Sequence, residues 1–195
     1  MVWYQGMKKH IITLGGLPGS GKSTVKRILA EMLGYNTFST GDFVREMAFE
    51  RNLTLEEFNE LIRHDKTLDL LIDDRLKQIE ENEDSYVIDS HLAFHFVPSS
   101  FSVFLTISAE RSAERIFNDT SSQTRIKSGD TMKTLAEALE KTQRRVQNHI
   151  ERYTSLYAVN PYIEAHYQLV VNTEHETPEH IAQIVFNAYQ NWLLR

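Results

Sequence analysis

Residues 16–23 read Gly16-Leu17-Pro18-Gly19-Ser20-Gly21-Lys22-Ser23, the spacing G-x-x-x-x-G-K-[ST]. This spacing suits a loop that wraps a polyphosphate. Its glycines can take positive φ, which turns successive backbone N–H groups inward on an anion. Lys22 supplies a point charge for the β and γ phosphates, and Ser23 offers a hydroxyl to Mg²⁺. Gly16, Pro18, Gly19, Ser20, Gly21, Lys22, Ser23 and Thr24 are therefore the expected ATP-binding set. The apolar run His10-Ile11-Ile12-Thr13-Leu14 comes immediately before. After it, Val25, Ile28, Leu29 and Leu33 fall at helical spacing. A strand thus leads into the loop, and a helix N-terminus faces the same phosphates.

Phosphoryl transfer needs three more things: a metal position, an acceptor site and positive charge on the migrating group. Asp89 closes the apolar run Val87-Ile88-Asp89. At a strand end it can face the phosphates and hold Mg²⁺, through water. Ser90 follows it, where an ATPase that activates water carries an acidic base, so transfer to a bound acceptor is favoured. A guanidinium fork suits phosphate, and the candidate arginines are Arg45, Arg111, Arg115, Arg125, Arg144, Arg145 and Arg152. Arg111 and Arg115, four apart, share one helix face. His91 and His95 are also four apart, but without H-E-x-x-H or a third ligand they read as hydrogen-bonding or acceptor-contact groups. A nucleotide-binding switch is the reading from another class; a guanine switch would carry N-K-x-D, which this sequence lacks.

The elements that must position these groups follow from patterning. Short β-branched and aromatic runs predict strands at about 9–14, 35–39, 85–89, 101–107 and 167–172, alternating with helical patterns. That rhythm implies an α/β domain with a parallel sheet. Thr54 with Glu57 forms a capping box, Thr177-Pro178 opens a final helix to about Leu194, and Ser108 caps the helix carrying Arg111 and Arg115. Residues 42–82 hold two or three helices between the second and third strands. Residues 119–130 are a polar loop, followed by a long helical pattern from about Met132 to Tyr157. With 195 residues and 41% hydrophobic content, one domain spanning 1–195 is expected. A net charge of -6 argues against a nucleic-acid partner. The absence of cysteine rules out disulfides and thiolate chemistry and fits a cytoplasmic location. No apolar run approaches ~20 residues, so no membrane span is expected. A monomer binding small-molecule nucleotides is the simplest expectation.

The arrangement resembles the nucleoside monophosphate kinases, in particular the short, archaeal-type cytidylate kinases, from about residue 10 to 190. The phosphate loop alone is generic. Ser39-Thr40-Gly41-Asp42-Phe43-Val44-Arg45-Glu46-Met47-Ala48 and Asn52-Leu53-Thr54-Leu55-Glu56-Glu57-Phe58 look like the family's monophosphate-binding helices. Arg152-Tyr153-Thr154-Ser155-Leu156-Tyr157 and Tyr167-Gln168-Leu169-Val170-Val171-Asn172-Thr173 match near the end. The resemblance implies a five-stranded parallel sheet in the order 2-3-1-4-5. It also implies an acceptor, CMP or dCMP, between the 42–82 insert and the core, and a lid over 119–130. Carried over, Lys22 spans the phosphates, Ser23 and Asp89 serve Mg²⁺, and Thr40, Asp42, Arg45, Asp89 and His91 surround the acceptor. Arg115 and Arg145 join Lys22 as catalytic contacts. Where the family carries an acidic residue, Gly and Arg after the third strand, this chain has Asp89-Ser90-His91. That triplet is closer to some archaeal adenylate kinases, so an adenylate kinase-like enzyme, or a kinase of another small metabolite, is the alternative.

Overall fold

The structure, a computed structural model, describes residues 8–64, 66–119 and 132–195. Five parallel strands form one sheet: β1 (Ile11–Gly16), β2 (Asn36–Ser39), β3 (Tyr86–Asp89), β4 (Phe101–Thr106) and β5 (Leu169–Asn172). Their order is β2-β3-β1-β4-β5, as the resemblance implies. The register pairs Leu14 and Ser39 with Asp89, and Gly16 with Leu105. β2 and β3 therefore end level with Leu14, two residues before the end of β1, and the candidate residues leave the sheet from one edge. This is the edge at which parallel α/β sheets bind ligands.

Alternation along β1 divides the core. Ile12 and Leu14 pack with Val25 and Leu29 of α1 (Lys22–Leu33) and with Ile181, Val185 and Tyr189 of α8 (Pro178–Leu193). Ile11 joins the opposite core, with residues of α2 (Thr40–Glu50), α3 (Leu55–His64) and α4 (Lys66–Asn82). Three helices thus fill the stretch between β2 and β3. A one-turn helix α5 (Ala93–Phe96) precedes β4, and α6 (Ala109–Asn118) and α7 (Leu135–Tyr157) precede β5. Among the described residues no helix is long and apolar enough to cross a membrane.

The caps follow the sequence. The Glu57 amide donates to Thr54 Oγ1 (3.2 Å) and the Thr54 amide to Glu57 Oε2 (2.8 Å). Ser108 and Thr177 accept from the Arg111 and His180 amides. Several boundaries differ from expectation, among them the start of β5 at Leu169 rather than 167, and two have a local cause. The long helix begins at Leu135 rather than about Met132, because Thr134 accepts from the Glu137 amide (3.1 Å) and fixes the first turn. β1 runs two residues further than its apolar pattern, because Gly15 and Gly16 stay paired with Phe104 and Leu105. Beyond Asp119, the expected 119–130 loop lies outside the described residues, and Arg125 with it.

Gly15 allows a close approach. The Tyr167 ring packs against Phe94 and Phe104, and its hydroxyl donates to the Pro161 carbonyl (2.8 Å). A Cβ at Gly15 would lie 2.4 Å from that hydroxyl and 2.6 Å from the ring. The ring is wedged and cannot yield. Gly15→Ala is expected to cost roughly 1–3 kcal/mol by overpacking, read as a fall in the urea midpoint at unchanged m-value.

Candidate functional site

A cavity of about 350 Å³ opens beside the carboxyl ends of β1, β2 and β3. The loop between β1 and α1 contributes Pro18, Gly19, Lys22 and Ser23; β2 and α2 contribute Ser39, Thr40, Asp42 and Arg45. The end of β3 adds Asp89, Ser90 and His91, helix α4 adds Asp69 and Asp73, and α7 adds Arg145, His149, Arg152 and Tyr153.

The loop conformation is set locally. Gly19 and Gly21 take φ of 73° and 90°. At Gly19 the demand is double, since a Cβ would also meet the Ser112 carbonyl at 2.8 Å. Ser112 Oγ donates to the Pro18 carbonyl (2.5 Å), so α6 holds the loop in place. Lys22 Nζ donates to the Gly16 and Leu17 carbonyls (3.0 and 2.8 Å), curling back over the loop. Burial pulls its pKa down to about 8; the Asp89 charge opposes this and Arg145 adds to it. Ser23 Oγ donates to Asp89 Oδ2 (2.9 Å), which brings two hard oxygen donors together. That donor set suits Mg²⁺, which takes one or two protein oxygens and completes its shell with water and substrate phosphate. Among the described residues no group of three or more His, Cys, Asp or Glu could hold a metal.

The lining contributed by α2 is ionic. Arg45 Nη2 donates to Asp42 Oδ1 (2.6 Å), and Lys26 lies 3.4 Å from Asp42 Oδ2. Burial works against the Asp42 charge, but the Arg45 hydrogen bond and the two cations hold its carboxyl below the usual range. Arg45 Nε is buried with no partner among the described residues. His91 packs against His149 with the rings tilted and their centroids 4.5 Å apart, and His149 Nδ1 meets the Tyr162 hydroxyl at 2.8 Å. Burial, reinforced by neighbouring positive charge, drives both imidazoles well below the usual histidine range. They are neutral at pH 7, and His91 Nδ1 has no partner among the described residues.

Lys22, Ser23, Thr40, Asp42, Arg45, Asp89, His91 and Arg145 thus converge on one cavity. Arg115 does not line it. Its guanidinium donates to the Thr173 carbonyl (2.6 Å) and the Glu174 carbonyl (3.3 Å), bracing the turn after β5. Gly16, Ser20, Gly21 and Thr24 shape the loop and the first helical turn without lining the cavity. Sequence reasoning missed Asp69, Asp73, His149 and Tyr153. The available signal was a stripe on α4, Asp69-Ile72-Asp73-Leu76, in which carboxylates occupy an otherwise apolar face.

A family model described as an AAA domain matches residues 12–142. A cytidylate kinase of Halobacterium salinarum is 34% identical over 184 residues, 91% of this chain and 88% of its own length. The chain belongs to the cytidylate kinase-like nucleoside monophosphate kinases. As a member it is a P-loop phosphotransferase that binds small nucleotides. An S-adenosylmethionine-dependent nucleotide dehydratase of Lacinutrix mariniflava is 32% identical over 93% of the chain, which covers 36% of that protein. Among solved structures, a shikimate kinase from Bacteroides thetaiotaomicron superposes with a TM-score of 0.62 at 18% identity, over 92% of this chain and 98% of its own. That likeness speaks for the fold alone.

Proposed function

We propose that this kinase transfers the γ-phosphoryl group of ATP to CMP or dCMP. The supporting observation is the sharing of one cavity by Lys22, Ser23, Asp89, Arg45 and Arg145. In this reading the loop amides and Lys22 hold the β and γ phosphates. Arg45 grips the acceptor phosphate, with the neutral His91 beside it as a hydrogen-bonding partner. Arg145 stabilises charge on the migrating group, which spreads over its equatorial oxygens in the transition state. Ser23 and Asp89 would hold Mg²⁺, which neutralises phosphate charge when bound. Residues 42–82 act as the acceptor-binding insert of a single domain, and 119–130 as the lid that excludes water. A nucleotide acceptor also fits the nucleotide named for the Lacinutrix relative.

ADP release coupled to an indicator, with ATP and Mg²⁺ and each of CMP, dCMP, UMP, AMP and GMP, tests the reading. Turnover is expected with CMP or dCMP. A preference for AMP would favour the adenylate kinase-like alternative, and ADP release without acceptor would overturn the assignment.

The low pKa of Lys22 has a measurable effect. At pH 8–9 a large share of Lys22 is neutral in the free protein, whereas a bound polyphosphate demands the ammonium and raises the pKa. Nucleotide binding should therefore take up protons in that range and lose affinity as pH rises through it. Calorimetry in buffers of different ionisation enthalpy should reveal the uptake in wild type and its absence in Lys22→Met.

A further inference from the structure

Helix α4 presents Asp69, Ile72, Asp73 and Leu76 to the cavity. The intervals of three, four and seven make one stripe, and stability alone would fill a buried stripe with aliphatic residues. Leu68, Ile72, Leu76 and Ile79 do so here. Asp69 and Asp73 break the pattern at 4% and 3% exposure. A buried carboxylate is costly unless it is paired and hydrogen-bonded. The pairing seen is partial: among the described residues Asp69 Oδ1 accepts from Arg152 Nη2 (2.7 Å) and Asp73 Oδ2 from the Tyr157 hydroxyl (2.7 Å). A carboxylate can accept about four hydrogen bonds. Arg152 Nε is likewise buried without a partner among the described residues.

The cavity therefore sets a carboxylate acceptor beside a guanidinium donor, and Leu55 and Ile62 are among the apolar members of its lining. Phosphate does not call for that combination, since it only accepts hydrogen bonds and a carboxylate repels it. A flat heterocycle that donates at one edge atom and accepts at the next does. Of the two common pyrimidines, cytosine presents N4–H₂ as donor next to N3 and O2 as acceptors. Uracil presents O4 and N3–H, which oppose Asp69 and Arg152 respectively.

We propose that Asp69 and Arg152 read the acceptor base, Asp69 accepting from the exocyclic amine of cytosine and Arg152 donating to N3 and O2, so that uracil is rejected. Burial raises the pKa of Asp69 and the charge of Arg152 opposes that rise; in the structure Asp69 Oδ1 accepts from Arg152 Nη2 at 2.7 Å. The proposal rests on the reading of the chain as a kinase of CMP.

Three measurements test it. In wild type, kcat/KM for CMP should exceed that for UMP by on the order of 100-fold, because mismatched buried polar groups are penalised strongly. The monophosphate of pyrimidin-2-one riboside, which lacks only the amine, should bind at least ~10-fold more weakly than CMP by calorimetry. Asp69→Asn, whose carboxamide can donate to O4, should shrink the CMP/UMP ratio by ~10-fold or more, with the KM for ATP unmoved. Equal use of CMP and UMP, undiminished binding of the deamino analogue, or an unchanged ratio in Asp69→Asn would overturn the base-reading role while leaving the kinase reading intact. Failure of wild type to phosphorylate any nucleoside monophosphate would sink that reading, and this inference with it. If Asp69→Asn does not fold, the analogue series on wild type decides alone.

Discussion

Lys22→Ala should lower kcat by roughly 10³-fold while the thermal midpoint stays within a few degrees of wild type. The size follows from removing a preorganised charge from a site where charge migrates; single donors in such sites are worth ~10²–10³. The retained stability follows from the local contacts. Lys22 Nζ bonds the Gly16 and Leu17 carbonyls, but burial works against its charge, so removing it relieves a cost as it removes two hydrogen bonds. Steady-state kinetics beside a melting curve checks both halves. Near-wild-type turnover would remove Lys22 from the mechanism, and a collapsed melting curve would make it a structural residue.

Arg45→Ala should act on one substrate only. The guanidinium is held by Asp42 through Nη2, while its Nε is buried and unpaired among the described residues. A phosphate arriving beside it gains charge-assisted hydrogen bonds worth about 2–3 kcal/mol. Losing them should raise the KM for the acceptor by roughly 100-fold. The ATP loop does not share this contact, so the KM for ATP should move less than ~2-fold. An equal rise for both substrates would refute the role.

The phosphate loop was legible because its chemistry is contiguous. Eight neighbouring residues carry the turn, the charge and the hydroxyl, and the apolar runs on either side fix strand and helix. Asp89 was legible for a similar reason, since the end of a buried strand points at the ligand edge whatever lies around it. Arg45 and Arg145 could be named as candidates, yet only the fold separates them from Arg115. The difference is one of rotation: Arg115 faces the turn after β5 and is taken up by the Thr173 and Glu174 carbonyls. The Asp69–Asp73 stripe was hidden for another reason. Helix α4 carries acids on several faces, and periodicity alone does not say which carboxylates turn inward until Arg152 and Tyr157 arrive from α7, more than 80 residues later.

The two ends of α4 are held differently. At its carboxyl end Lys9 Nζ donates to the carbonyls of Ile79, Glu80 and Glu83, and the His10 amide donates to Asp84 Oδ1 (2.6 Å), tying that end to the start of β1. Asp69 and Asp73 lie near the other end. Roughly 15 Å of helix separates Asp69 from Ile79 at about 1.5 Å per residue. The carboxyl end is thus moored to the sheet, while the amino-terminal half is tied to α7 through Asp69 and Asp73. A tilt of about 10° about that mooring would sweep Asp69 through roughly 3 Å, close to one hydrogen-bond length. On the base-reading proposal, an angular adjustment of that size would be enough to engage or release a base.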